Sequence, residues 1–291
     1  MFIQLLVSGL LLGGIYALLS LGLSLMLGVS NFTNFAHGDF VMVGMYLAFC
    51  CFQWFGLNPY FSWPIVAVMS IVIGAIIFFV GRRTIGADAG IRQILFTLGL
   101  SMVLQNLALL FFKADYKSIP SPFTNSIGIG DVYISQGLLI TFVIAIAVTA
   151  LFLCFINYTN VGRAMRAVGD DRHASYLMGI PVERVDLLTF ILGIGLACLA
   201  GALLMTVYSV TPTSGTSYNL IAWVTVVLGG LGHLQGALLS AVLIGICENI
   251  SGFYLGADLR QAVYFVLFLI VLVVRPQGIF TSGSMRKVKR A

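Results

Sequence analysis

The chain has 291 residues, 60% of them hydrophobic and only 9% charged, with a mean hydropathy of +1.06 and a formal charge of +5. Soluble domains carry about a quarter charged residues, so a water-soluble fold of this size could not cover its surface with this composition. The chain therefore reads as one all-α polytopic membrane domain over 1–291, with about 8–10 transmembrane or re-entrant helices and no room for a separate soluble domain.

The first apolar run, 2–29, lacks a basic n-region and an A-x-A site, and reads as a retained span. It ends at SNFTNFAHGDFVMVG (30–44), where Asp39 is the only Asp, Glu, Lys or Arg of the first 81 residues and His37 lies two positions before it. Asn31, Asn34 and Gly38 predict a break followed by a new helix. Asp39 would then fall in that helix's first turn, where a carboxylate gains from the dipole and the free N–H groups.

Apolar runs at 36–56, 60–81 and 93–112 follow, each long enough to cross the hydrocarbon core. Gln105 and Asn106, inside the last of these, are expected to hydrogen-bond between helices. The loop 113–135 contains Pro120 and Pro122, which argue against a long helix there.

After the run 136–157 comes the most polar stretch before the tail, within 158–186. A short helix through Arg163–Val168 is expected to break at Gly169. Asp170 or Asp171 would cap a second helix through Arg172–Met178, with Gly179 at its C′ position and Pro181 blocking continuation. This loop is either a hairpin lying on anionic headgroups through its arginines or a docking element for a cytoplasmic partner. His173 would be solvated or part of that docking surface.

The remaining runs are 187–210, 218–232, 235–256 and 259–274. The 218–232 run is short for a span, and it leads into LGGLGHLQG. Gly229, Gly230, Gly232 and Gly236 permit either close helix packing or a discontinuous helix whose backbone lines a path. His233 and Gly236 faintly echo His37 and Gly38. Glu248 has no basic residue after it before Arg260, roughly 18 Å away along a helix, so a local ion pair is not expected. It reads either as a functional intramembrane acid or as a buried acid hydrogen-bonded to a neighbouring helix.

Basic residues set the orientation. Arg82, Arg83 and Arg92 lie in one loop, Arg163, Arg166, Arg172 and Arg184 in another, and Arg275, Arg286, Lys287, Lys289 and Arg290 in the tail 275–291. Only Lys113, Lys117 and Arg260 lie elsewhere, so the three rich regions are assigned to the cytoplasm. This places 113–135 and the N-terminus outside, and the C-terminus inside. Cys50, Cys51, Cys154, Cys198 and Cys247 sit in apolar stretches without metal-ligand spacing and read as small buried hydrophobes. No third ligand stands near any histidine, so no metal site is expected. There is no phosphate-loop motif, and no motif argues for nucleic acid.

Several ordered segments resemble one family. VGRAMRAVGDDRHASYLMGIPVERV (161–185), NFAHGDFVMVG (34–44), VLGGLGHLQGALLSAVLIGICE (227–248) and RPQGIF (275–280) are similar to segments of the LivH-type permease subunits of bacterial branched-chain amino acid ABC importers. The resemblance runs over nearly the whole chain. It implies a coupling-helix loop between the fifth and sixth spans, seated in a groove of an ATP-binding subunit, with Gly162, Arg163, Arg166, Gly169, Asp170, Asp171, Arg172 and Gly179 in it. It implies alternating access in the cytoplasmic (inner) membrane, with no catalysis and no cofactor on this chain, ATP-Mg being held by partners. Those partners would be a second permease (homologous or identical), two ATP-binding subunits and an extracytoplasmic binding protein. Asn34, His37, Gly38, Asp39, Gly229, Gly230, Gly232 and Glu248 then become candidate pathway or gating residues. The substrates implied first are leucine, isoleucine and valine; related importers move urea, short amides or other amino acids. The competing class is an intramembrane enzyme using His37, Asp39 and Glu248 as acid–base groups, which requires those side chains to converge.

Overall fold

The computed structural model describes residues 2–85, 90–120, 123, 125–129, 132–256, 259–275 and 278–280. Pro122, Pro276, Gln277 and the tail residues Arg286, Lys287, Lys289 and Arg290 lie outside the described residues.

Five long helices come first: α1 (Phe2–Ser30), α2 (His37–Phe55), α3 (Pro59–Gly81), α4 (Gly90–Phe112) and α5 (Gln136–Tyr158). Two short ones follow, α6 (Asn160–Asp170) and α7 (Arg172–Leu177), then α8 (Val182–Leu204), α9 (Ser214–Gly229), α10 (Leu234–Tyr254) and α11 (Arg260–Val274). Seven of these, α1–α5, α8 and α10, are long and apolar enough to cross a membrane. The two further apolar helices, α9 with 16 residues and α11 with 15, are shorter than a full crossing, at about 24 and 23 Å against a core of about 30 Å.

α1 is apolar on every side, and it is the central post of the bundle. It packs against α10, α8, α5 and α9, while α3 and α2 close on α8. Small residues let backbones meet: a Cβ on Gly13 would lie 2.6 Å from the Cα of Val242, and one on Gly74 2.8 Å from that of Ile191. By contrast α4 buries only Gln93, Thr97 and Ala108 and exposes leucines and phenylalanines, the surface expected of a helix facing lipid or another membrane subunit.

The two ends of the bundle differ. At one, Ser30 of α1 meets Asp186 of α8, and Arg82 pairs with Glu183 at 3.5 Å. At the other, Gln4 clamps Tyr133 through both its amide N–H and its carbonyl, and Lys117 and Val210 exchange backbone hydrogen bonds. Tyr133 belongs to a hairpin of β1 (Ser126–Ile129) and β2 (Val132–Ser135), antiparallel with Ser126 opposite Ser135. No long helix occupies the described part of 113–135, as its prolines require, but the hairpin was not foreseen.

Three local expectations are corrected. α6 does not break at Gly169 but runs through it to Asp170, because Gly169 packs against the Gly28 carbonyl and needs only to be small. Asn106 donates to Met102 O within its own helix instead of bridging to another. Cys154 is exposed on α5, not buried.

Candidate functional site

The backbone between α1 and α2 turns back towards the middle of the bundle before becoming helical again. Asn31 takes a left-handed conformation (φ 48°), which asparagine tolerates better than most residues. Phe32 N–H then donates to Met26 O, Thr33 N–H to Gln93 Oε1 of α4 (3.1 Å), and Ala36 N–H to Asn34 Oδ1 (3.0 Å). α2 starts at His37 beside Leu19, a full three turns before the end of α1: His37 Nε2 lies 3.0 Å from Leu19 O. The break predicted at 30–38 is therefore a helix start inside the bundle.

α9 holds this start in place. Asn219 Nδ2 donates to Phe35 O (2.6 Å), and Asn219 Oδ1 accepts from Gly38 N–H (3.3 Å). One side-chain amide thus replaces the helical partners that these two backbone groups lack. Phe35 and Trp223 stack with centroids 4.8 Å apart. Gly38 lies so near α9 that a methyl there would overlap the backbone of Asn219 and Gly215.

Asp39 is 1% exposed and sits in α2's first turn, as expected. Its Oδ1 accepts from Gln105 Nε2 of α4 (3.0 Å), and Gly215 in the first turn of α9 packs directly against the carboxylate. The positive ends of two helices therefore flank one buried acid. Asp39→Asn preserves the acceptor facing Gln105 but removes the charge between the two helix starts. Near-normal assembly with uptake reduced by roughly tenfold, a change of about 1.4 kcal/mol, is expected; membrane-fraction yield and radiolabelled uptake measure the two separately.

The second break, between α9 and α10, is as sharp. Gly230 (φ 101°) and Gly232 (φ 76°) adopt positive-φ conformations that other residues rarely take, and His233 Nδ1 caps α10 by accepting from Gly236 N–H (3.1 Å). Gly229 packs against Gly236, and Gly232 against Gly28 of α1. His37 and His233 thus both open helices after a break, but through different bonds: His37 reaches across to α1, and His233 caps its own helix.

Glu248 overturns a sequence expectation. Its Oε1 lies 3.8 Å from Arg260 Nη1. The separation assumed one continuous helix, whereas α10 ends at Tyr254 and the chain reverses to start α11 at Arg260. Tyr16 of α1 lines the same cavity as Glu248. Among the described residues, no hydrogen bond or ion pair joins His37, Asp39 and Glu248, so the constellation an acid–base enzyme needs is not assembled.

At the arginine-rich end, Thr159 caps α6 by accepting from Gly162 N–H (3.0 Å). Asp171 closes α6 and caps α7, accepting from Ala174 N–H (2.9 Å). Gly179 ends the pair with φ 80°. Arg166 donates to Ile156 O in the last turn of α5 and Arg163 to Asn160 at the start of α6, so both already have partners. Arg172 makes a bidentate contact with Asp186, which is 3% exposed and also accepts from Ser30 Oγ (2.8 Å). α6 and α7 are thereby fastened to both α1 and α8. Asp170, Asp171 and His173 are exposed.

Sequence reasoning missed two groups. Asn219 and Trp223 stood in an apolar run whose only signal was one buried-looking amide. Tyr176, Leu177 and Met178, between the charged residues and Gly179, are 70%, 70% and 82% exposed. An apolar tip projecting from a charged hairpin marks an interaction surface.

Seven membrane-length helices, two interrupted segments meeting inside the bundle and a rigid polar hairpin at one end define a multi-pass membrane permease. The comparisons narrow this. Residues 5–272 match the family described as branched-chain amino acid transport system / permease component, and the chain belongs to that family. The high-affinity branched-chain amino acid transport system permease protein LivH of Escherichia coli is 32% identical, and BraD of Pseudomonas aeruginosa, with the same description, is 31% identical; each match covers 99% of this chain and 98% of the relative. Among solved structures, PsaBC from Streptococcus pneumoniae in complex with Fab shares the fold, with a TM-score of 0.51 and 14% identity over 98% of this chain and 95% of that one.

Proposed function

We propose that this chain is a membrane-spanning subunit of an ATP-driven importer, passing branched-chain amino acids from an extracytoplasmic binding protein into the cytoplasm by alternating access. It works with a second permease, two ATP-binding subunits that carry ATP-Mg, and the binding protein; this chain itself catalyses nothing. The complex lies in the bacterial cytoplasmic membrane with the arginine-rich end and the C-terminus inside, in keeping with the distribution of basic residues.

The observation that carries this reading is the fastening of the α6–α7 hairpin. A force applied to the exposed tip at Tyr176–Met178 passes through Arg172–Asp186 to α8 and through Ser30 to α1. α1 leads into the break at 31–36, and α8 packs along α2. Nucleotide-driven closure of the partners thus has a mechanical route to the helix starts at His37 and Ser214. Gly162, Gly169 and Gly179 let the hairpin pack tightly and turn, while Asn34, Gly38, Asp39, Gly229, Gly230 and Gly232 form the joints on which the path opens.

Tagged chain expressed with its partners tests the reading. Co-purification of ATP-binding subunits and leucine uptake are expected. Leu177→Asp with Met178→Asp is expected to lower that co-purification by about thirtyfold, the loss of two apolar contacts of about 1 kcal/mol each. Unaltered capture by the double variant, or uptake of urea without leucine, would overturn it.

A further inference from the structure

A cavity of about 300 Å³ opens where α1, α9, α10 and α11 converge. Its polar lining includes Tyr16, Ser217, Tyr218, Glu248, Arg260 and Tyr264. The volume stands at the lower edge of the range for ligand sites, which suits a small molecule. Two opposite charges share this space without satisfying each other. The Glu248 side chain is 10% exposed, and its Oε2 has no hydrogen-bond partner among the described residues. Arg260 Nε is buried and likewise without a partner among them. Their one contact, 3.8 Å, is nearly an ångström longer than a charge-assisted hydrogen bond, which spans about 2.7–2.9 Å.

Such a pair is costly to bury unless each charge finds further partners. The Arg260 guanidinium lies over Gly252, where a Cβ would come within 2.6 Å of its Nε. Ligands bearing a single charge would complete one residue and leave the other unmatched. A ligand carrying both an anion and a cation on adjacent atoms completes both. Helix geometry favours one orientation, because α9 and α11 both begin beside the cavity, at Ser214 and Arg260, and their positive dipole ends favour an anion there.

We infer that this cavity is a transit site for a zwitterionic amino acid inside the permease, with Arg260 receiving the α-carboxylate, Glu248 the α-ammonium, and the rings of Tyr16 and Tyr264 with Ile221 facing the apolar side chain. The inference rests on the amino-acid transport reading above and locates recognition within it. It also links recognition to the break. Ser214, Ser217 and Tyr218 line the cavity, while Gly215, in the same turn of α9, packs against Asp39. An occupied cavity therefore bears on the contact between the starts of α2 and α9.

The test uses the assembled complex in detergent without binding protein, observed by saturation-transfer difference NMR, which detects weak ligands. Leucine is expected to receive saturation and to be displaced by isoleucine. The analogues 4-methylpentanoate, lacking the ammonium, and 3-methylbutylamine, lacking the carboxylate, are expected to compete roughly tenfold less well, as are leucine's own contacts in Glu248→Gln and Arg260→Gln, each having lost one charged hydrogen bond. Analogues that compete as well as leucine, or full leucine signal in both variants, would overturn the site. The analogue series needs no variant, so a misfolded variant leaves the test intact. Reconstituted vesicles separate the two claims: leucine import with no leucine signal from the permease sinks the site alone, whereas failure to import leucine sinks the transport reading.

Discussion

Gly38→Leu is expected to abolish uptake and to lower the thermal stability of the purified subunit. The position faces backbone, not side chains: the Gly215 carbonyl and the Asn219 main chain, one turn apart on α9. Backbone cannot swing aside as a rotamer can, so α2 and α9 must separate. That separation strains the Gly38 N–H···Asn219 Oδ1 and Asn219 Nδ2–H···Phe35 O bonds and parts the stacked Phe35 and Trp223 rings. Overpacking of this kind costs about 1–3 kcal/mol, and more where backbone must move. Gly99→Leu is the control, because a Cβ at Gly99 meets nothing within 4 Å. Equal melting temperatures and uptake for the two variants would remove the α2–α9 contact from the account.

Asp186→Ala is expected to uncouple ATP hydrolysis from transport. The carboxylate accepts from both terminal nitrogens of Arg172 and from Ser30, so one side chain ties α7, α8 and α1 together by hydrogen bonds. Removing one partner of a buried pair costs about 3–5 kcal/mol. The Arg172 side chain is 40% exposed and can rehydrate, which reduces this to about 1–3 kcal/mol. On the proposed assembly the subunit still folds and still binds the ATP-binding subunits through the exposed tip, while amino acid moved per ATP hydrolysed is expected to fall by about tenfold. Glu183→Ala, which breaks a pair exposed on both sides, is expected to leave that ratio unchanged. A normal ratio in Asp186→Ala would show that force reaches the bundle by another route.

The contrast between these two acids explains what could be read in advance. Asp186 stands at the edge of a polar loop, where no local pattern marks it, yet it is buried and bonded three ways. Asp39 is marked by its isolation as the one charged residue of the first 81, and its place in the first turn of α2 follows from the Asn and Gly residues around the break. Its partners, Gln105 and Gly215, come from helices about 66 and 176 positions away, a range at which spacing carries no information. The Glu248–Arg260 pair failed for a related reason. Distance along a helix predicts proximity only while the helix continues, and α10 ends at Tyr254, before α11 begins at Arg260.

Composition and apolar run length by themselves determined that the chain is a helical membrane protein, where its long helices lie and that a capped polar hairpin interrupts them. These are local properties: a segment is long and apolar enough to span, or it is not, and a cap or a left-handed glycine acts on its own neighbours. Only the tertiary structure decided that α2 begins beside Leu19 in the middle of α1, that Asn219 and Trp223 hold that start, and that Arg172 reaches Asp186. Each of those contacts depends on which helix faces which. In a bundle whose helices are apolar on nearly every side, periodicity does not choose the face; close-packed glycines and a few buried polar groups do.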